Sequence, residues 1–132
     1  MTRYVIDAGV AIRLAADGAD VSPEHELLAP TLIRSQTLSQ LHEAVRRGEL
    51  DASEAERRLD RIAGMRIRLL GDRVLRRTAW RFADQLGWES TFTAEYVALT
   101  RLQGDALVTL DERLARELDG VVPTAPYEAL LS

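Results

Sequence analysis

Arg3-Tyr-Val-Ile-Asp7 is the stretch that decides the fold, because it is a short apolar run that ends in an acid. Its β-branched and aromatic residues predict a buried strand. Gly9 then predicts a turn, and a helix is expected from Val10 to Ala15. A strand that passes directly into a helix is the opening of an α/β arrangement.

A second segment of the same kind lies near the other end of the sequence. Ala106-Leu-Val-Thr-Leu110 predicts a strand, and Asp111 follows it at the start of a short helix that runs to Leu118. The carboxyl ends of parallel strands meet at one rim of a sheet, so Asp7 and Asp111 are expected to share a crevice if their strands are neighbours. Two nearby carboxylates repel each other, and a hard cation such as Mg²⁺ or Mn²⁺ is the usual remedy. An ion held in this way typically serves phosphoryl chemistry.

Each aspartate also has a purely structural interpretation as the N-cap of the helix that follows it. Asp111 precedes Glu-Arg-Leu-Ala, so the cap and the metal ligand are equally open for it, and one side chain can fill both roles. For Asp7 the cap is the weaker interpretation, because Gly9 is expected to interrupt the chain before a helix begins.

The residues between these two segments predict alternating strands and helices. We expect an α/β fold with a mainly parallel central sheet of four to five strands and helices on both faces. The length of 132 residues is that of a single domain, residues 1–132. The further predicted elements are an extended piece at Glu26–Ala29, helices at Pro30–Arg47 and Ser53–Ala63 (opened by a capping box, Ser53-Glu-Ala-Glu56), an edge strand at Met65–Leu70, helices at Asp72–Leu86 and Thr93–Leu102, a strand fragment at Val121–Pro123 and a terminal turn or helix at Ala125–Leu131.

The composition excludes several classes of protein. There is no cysteine, which excludes disulfides, thiolate nucleophiles and iron–sulfur clusters. All 17 basic residues are arginine, so there is no lysine for a Walker A loop or a Schiff-base enzyme. No signal peptide is expected, and no apolar run approaches the ~18 residues of a membrane span. We therefore expect a cytoplasmic protein that makes no membrane contact.

The charges are unevenly distributed along the chain. Between Arg34 and Arg81 there are 12 arginines and 7 acids, whereas the flanking segments carry 5 arginines and 14 acids. A basic middle segment attracts a polyanion to one face. Solvated helices with ion pairs at i,i+4 spacing explain the same pattern without a partner.

Four segments resemble the four motifs of the PIN-domain family, in order and at similar spacing over essentially the whole chain. They are Tyr4–Ile12, Ala29–Leu38, Thr93–Leu99 and Leu107–Leu114. VapC-type toxins match best in length. The resemblance implies an endoribonuclease that uses Mg²⁺ or Mn²⁺ to cleave RNA phosphodiester bonds, a cognate antitoxin that blocks its site, and a homodimer.

The chain departs from the family pattern at two of the four usual acids. The second motif normally supplies a Glu and here has Gln36, and the third normally supplies an Asp and here has Thr93. Asp7 and Asp111 remain as the expected metal ligands and catalytic acids, with Gln36 and Thr93 lining the site. Two carboxylates should bind Mg²⁺ more weakly than four, and Mn²⁺ stands higher in the divalent affinity order.

Glu95 is the candidate that would compensate for the lost acid, since it lies two residues after Thr93. It is therefore included among the expected catalytic residues. Two positions on a regular helix differ by about 200°, so the compensation needs an irregular first turn. The alternative is a solvent-exposed glutamate that is favourable near a helix N-terminus.

Two functions stay open at this point. An active PIN-type endoribonuclease predicts metal-dependent RNA cleavage that Asp7→Asn abolishes. A catalytically impaired PIN module, acting through RNA or protein binding, predicts binding that chelators do not affect. A receiver-type signalling domain is set aside because it needs a lysine.

Three aromatic side chains could stack on RNA bases, those of Trp80, Trp88 and Tyr96. Trp80 falls on the apolar side of its predicted helix, so we expect it in the core. Trp88 falls in a predicted loop, which makes it the one plausible stacking platform for an RNA base.

Overall fold

A five-stranded, all-parallel sheet forms the centre of the protein in a computed structural model that describes residues 1–132. The strands are β1 (Thr2–Ile6), β2 (His25–Pro30), β3 (Ile67–Leu70), β4 (Ala106–Val108) and β5 (Thr124–Ala125). Their order across the sheet is β3-β2-β1-β4-β5. β1 is therefore the central strand, which agrees with the complete burial of Val5 and Ile6.

Six helices connect these strands and cover the sheet. They are α1 (Ala8–Asp17), α2 (Leu32–Arg46), α3 (Ala52–Ala63), α4 (Arg73–Leu86), α5 (Phe92–Leu102) and α6 (Glu112–Glu117), followed by a 3-10 helix at Tyr127–Leu131. The chain steps one way across the sheet from β1 to β3 and then returns past β1 to β4 and β5. Right-handed crossovers place α1 to α3 on one face and α4 to α6 on the other. The predicted α/β fold is confirmed, and the arrangement is compatible with a PIN-like fold.

Helix α5 is the element that joins the two halves of the core. It packs against β1, β2 and β4 on one side and against α4 on the other. Its residues Ala94, Val97 and Ala98 are fully buried, and the small alanines let the helix approach the sheet closely. No helix in the protein combines the length and the apolar character that crossing a membrane requires.

Three of the predicted boundaries that differ from the structure lie outside the candidate site. Pro30 does not open a helix but closes β2, where it pairs with Leu70, and its missing N–H costs little at a strand end. The helix predicted from Ser53 is capped by Asp51, whose Oδ1 accepts a hydrogen bond of 2.8 Å from the Glu54 N–H. The strand predicted at Val121–Pro123 forms instead at Thr124–Ala125.

The two tryptophans differ in how far they are exposed. Trp80 is 67% exposed, because α4 buries Leu75, Ala79 and Phe82 against α5 and turns Trp80 away from that side. Trp88 is partly buried and packs against the core. The expected core position of Trp80 is thus wrong, whereas Trp88 lines a cleft with Thr93 and Asp111, so its role as a stacking platform stays a prediction.

Candidate active site

The candidate site lies where the path of the chain across the sheet reverses. From β1 the chain steps to β2 on one side, and β4 lies on the other side. Ligands of open parallel sheets bind outside the carboxyl ends of the strands at such a point. The register pairs Ile6 with Val108, so the next residues, Asp7 and Thr109, leave the sheet side by side.

Asp7 is the N-cap of α1. Its Oδ1 accepts a hydrogen bond of 3.0 Å from the Val10 N–H. The expectation that Gly9 would interrupt the chain is wrong, because Gly9 lies inside α1 and the aspartate satisfies the first free N–H groups of the helix. The cap uses Oδ1 and leaves Oδ2 for other partners.

Asp111 is the N-cap of α6, as the cap interpretation predicted. Its Oδ1 accepts a hydrogen bond of 3.0 Å from the Leu114 N–H, and its own N–H donates to the Thr109 hydroxyl at 3.2 Å. The side chain is exposed, whereas that of Asp7 is partly buried. Both aspartates therefore cap a helix through Oδ1, and the cap does not use the second oxygen of either carboxylate.

A cavity of about 270 Å³ lies between the two aspartates. The structure brings four of the predicted site residues to this cavity and adds two polar residues that the sequence did not indicate. The polar residues along its wall are Asp7, Gln36, Gln40, Thr93, Thr109 and Asp111. A larger cavity, of about 660 Å³, lies near the amino ends of the strands and contains neither aspartate.

Gln36 is held in place by a tyrosine from the opposite side of the cavity. The Tyr96 hydroxyl donates a hydrogen bond of 2.6 Å to the Gln36 Oε1. Burial, together with the negative charges of Asp7 and Glu95, raises the pKa of Tyr96, so its hydroxyl stays protonated and remains a donor. Tyr96 itself is buried, so it positions Gln36 and offers no stacking surface to a ligand.

Glu95 is the predicted site residue that the structure does not bring to the cavity. It lies in a regular first turn of α5, two positions after Thr93, and it is absent from the cavity wall. The separation of about 200° between the two positions explains this placement. Partial burial raises the pKa of Glu95, with no contribution from the aspartates.

The electrostatics of Asp7 show that its charge is unfavourable in the free protein. Burial is the main cause that raises the pKa of Asp7, and the charge of Asp111 raises it further. The Thr109 hydroxyl and the Val10 N–H lower the pKa and offset part of this effect. A carboxylate in this situation is stabilised by a proton or by a cation.

The donor atoms fit a hard divalent cation, although the charge is small. All of them are oxygens from carboxylate, amide or hydroxyl groups, which Mg²⁺ and Mn²⁺ prefer. The protein has no cluster of three or more His, Cys, Asp or Glu side chains that could hold a metal. Two carboxylates are thus the whole charged ligand set, and water must complete the coordination of any bound ion.

Thr109 and Gln40 are the cavity residues that sequence reasoning missed. Thr109 was included in a strand predicted to run to Leu110, whereas β4 ends at Val108. Asp7 and Thr109 each come directly after the last residue of a parallel strand. This shared position is the feature from which Thr109 could have been predicted. Gln40 lies one helical turn after Gln36, so helical spacing would have indicated it.

Comparisons with known proteins support the fold. No protein-family model matches the sequence, and no curated protein matches it either. Among solved structures, the chain is similar to PAE2754 from Pyrobaculum aerophilum, known from a crystal structure, with a TM-score of 0.77 and 26% sequence identity. The similarity covers 98% of this chain and 93% of PAE2754. It therefore extends over the whole α/β unit.

Proposed function

We propose that the protein is a PIN-domain (VapC-like) endoribonuclease that uses Mg²⁺ or Mn²⁺ to cleave RNA phosphodiester bonds. The observation that carries the proposal is the pair of capping aspartates, Asp7 and Asp111, on either side of one cavity at the reversal point of the sheet. The unfavourable charge of Asp7 supports it, because a cation bound there offsets both the burial and the repulsion.

The polar residues of the cavity have separate roles in this proposal. Asp7 and Asp111 would hold the ion, and the neutral oxygens of Gln36, Thr93 and Thr109 would accept or donate hydrogen bonds to its water ligands or to the RNA. When bound, the ion supplies an activated water for attack on phosphorus and neutralises the charge that develops on the phosphate. The hydrogen bond from the Tyr96 hydroxyl fixes the orientation of Gln36 beside the cavity.

Helix N-termini beside the cavity add a positive field for the phosphate. α1 begins at Ala8 and α5 begins at Phe92, and both of these ends adjoin the cavity. The free N–H groups of a helix N-terminus attract anions. At α5 the N-cap residue, Thr91, makes no side-chain capping hydrogen bond, and the Phe92 N–H donates instead to the Ser90 hydroxyl at 3.2 Å.

The biological setting is part of the same proposal and rests on the resemblance to VapC-type toxins. In that setting the protein is a cytoplasmic toxin, a cognate antitoxin covers the cavity, and the toxin forms a homodimer. The length of 132 residues supports this part of the proposal.

A second candidate function is a catalytically impaired PIN module that acts through RNA or protein binding. The small ligand set favours it, since only two carboxylates line the cavity. The hydrogen bond from Tyr96 also occupies one lone pair of the Gln36 carbonyl oxygen. Binding by such a module would be the same with Mn²⁺ and with a chelator.

An RNA cleavage assay separates the two functions. Single-stranded RNA of mixed sequence is incubated, in Mn²⁺ or in EDTA, with wild type, Asp7→Asn, Asp111→Asn and the control Asp20→Asn. Asp20 is an exposed acid beside the larger cavity. Its replacement by asparagine changes the net charge by the same amount as each of the two site variants. We expect Mn²⁺-dependent cleavage by wild type and the control, and a loss of about 100-fold or more in the two site variants. RNA binding without cleavage in Mn²⁺ would contradict the nuclease function and support the binding module.

A further inference from the structure

A basic and aromatic surface runs along the outward side of α4. It consists of Arg73, Arg76, Arg77, Trp80 and Arg81, which we call the α4 surface. All five side chains are exposed, and Trp80 is 67% exposed. The helix itself contributes a single acid, Asp84. The surface therefore combines a large apolar ring with a dense positive charge.

The arginines of the α4 surface have no acidic partners, in contrast to those of other helices. None of the four takes part in an ion pair or a side-chain hydrogen bond within the protein. On α3, by comparison, Arg57 and Arg58 both pair with Glu54. Ion pairs within helices thus account for the charge of α3 but not for that of α4.

The packing of α4 does not explain why a tryptophan stands at the exposed position 80. The opposite side of the helix already buries Leu75, Ala79 and Phe82 against α5. Helical spacing places Trp80 next to Arg76 and Arg77, which precede it by four and three residues. A tryptophan between cations on an otherwise polar surface is the combination with which proteins bind single-stranded nucleic acid, since the ring stacks on a base and the guanidinium groups contact phosphates.

The α4 surface and the candidate site are connected through the end of the helix. α4 ends at Leu86, and the next residues, Gly87 and Trp88, line a shallow cleft together with Thr93 and Asp111. Trp80 precedes Gly87 by seven residues, which is about 10 Å along a helix axis. A strand that leaves the cavity along this cleft reaches the α4 surface within a short distance.

We propose that the α4 surface binds single-stranded RNA next to the cleavage site, with Trp80 stacked on an unpaired base and the four arginines on the phosphates. The proposal rests on RNA being the substrate, but it requires neither a metal ion nor Asp7. A single strand is the occupant that fits, because stacking on Trp80 needs a base that is not paired. The unpaired arginines supply the complementary charge.

Fluorescence anisotropy in EDTA tests the α4 surface without cleavage. The probe is a fluorescein-labelled single-stranded RNA of mixed sequence, titrated with wild type, Trp80→Ala, Trp80→Phe and Arg77→Glu. The control is Arg47→Glu, which changes the charge equally at an exposed arginine that is paired with Glu43 and Glu49 on another helix end. We expect Trp80→Ala to weaken binding about tenfold or more, and Trp80→Phe to retain most of the affinity. Arg77→Glu should weaken binding and reduce the salt dependence, by about 1 in the slope of log K against log salt.

Three outcomes would overturn this proposal. The first is the absence of RNA binding by wild type in EDTA. The second is binding by the α4 variants as tight as that of Arg47→Glu. The third is a change of self-association in sedimentation, and not of RNA binding, in Trp80→Ala. The last result would assign the surface to a second copy of the chain. Failure of the nuclease proposal is distinguishable, because cleavage would then be absent while binding in EDTA still depended on Trp80.

Discussion

At the scale of single residues, Gln36 decides how much negative charge the cavity carries. It occupies the place where the PIN pattern has a glutamate, and the Tyr96 hydroxyl holds its Oε1 at 2.6 Å. A glutamate in the same position can accept the same hydrogen bond, since a carboxylate oxygen replaces the amide oxygen. Replacing Gln36 with glutamate therefore changes the charge of the site and keeps its geometry.

Gln36→Glu should bind Mn²⁺ more tightly than wild type. A third carboxylate near Asp7 and Asp111 adds attraction for the ion, and we expect a gain on the order of tenfold, or about 1.4 kcal/mol. Titration calorimetry measures the two affinities. Gln40→Glu is the matched control because it adds the same charge to the same wall without a tyrosine partner. Equal affinities for Gln36→Glu and wild type would show that position 36 does not face a metal.

Asp7→Asn should stabilise the metal-free protein at neutral pH. An acid whose pKa is raised in the folded state contributes stability that is fully present below its unfolded pKa and is lost as the pH rises through the folded pKa. At pH 7 the ionised Asp7 therefore costs stability, and the amide removes this cost while it still caps α1. Urea unfolding in EDTA at pH 7 and at about pH 4 measures the difference. The advantage of the variant should shrink at the lower pH, and a variant less stable than wild type at pH 7 would contradict the account.

At the scale of elements, the junctions between strands and helices show what the sequence could and could not predict. Periodicity identified every helix, because an amphipathic pattern is a local property. The start of α1 was missed at Asp7 and that of α3 at Asp51, since a capping hydrogen bond depends on backbone geometry that composition does not reveal. The strand β2 was extended to Pro30 by its partner β3, which is a contact between distant residues.

The junction between α5 and β4 depends on Gly104. A Cβ at this position would lie 2.8 Å from the Cγ2 of Val5, which is fully buried in β1. Gly104→Ala should therefore lower the free energy of unfolding by about 1–3 kcal/mol. Urea unfolding measures the loss. In Gly64→Ala, the control, the added Cβ meets its neighbours at an ordinary 3.6 Å, so a loss as large as that of Gly104→Ala would indicate that the contact with Val5 is not the cause.

At the scale of the whole molecule, strand order decides which residues meet. The sequence predicted acids at the ends of two strands, but it left open whether those strands are neighbours, because the pairing of β1 with β4 joins residues about a hundred positions apart. The same limit explains Trp80, which the helical pattern placed in the core. A large apolar side chain indicates how much free energy its burial would gain. It does not indicate whether another surface lies opposite it.

Asp17, the last residue of α1, joins this helix to the C-terminal 3-10 helix. Its Oδ2 accepts hydrogen bonds of 2.9 Å from the Tyr127 hydroxyl and of 2.9 Å from the Arg13 Nε. These partners, Tyr127 first, lower the pKa of Asp17. A lowered pKa contributes stability that is present above the unfolded pKa and is lost as the pH falls through the folded pKa.

Asp17→Asn should thus reduce stability at neutral pH and have less effect in acid. The difference in free energy of unfolding from wild type should begin to shrink near pH 4, at about the ordinary pKa of an aspartate. Thermal unfolding across this range measures it. Asp119→Asn replaces an exposed aspartate that has no ion pair, and it should show no such trend. If the difference in free energy of unfolding between Asp17→Asn and wild type stays constant with pH, Asp17 does not contribute to the loss of stability in acid.

The pair of aspartates is the central claim, and Mn²⁺ binding tests it most directly. Titration calorimetry compares wild type with Asp7→Asn and with Asp20→Asn. The second variant removes an acid that does not line the cavity between Asp7 and Asp111. The account predicts saturable binding in or below the millimolar range for wild type and Asp20→Asn, and none for Asp7→Asn. Indistinguishable titrations for all three proteins would contradict the account and leave the fold without a metal site.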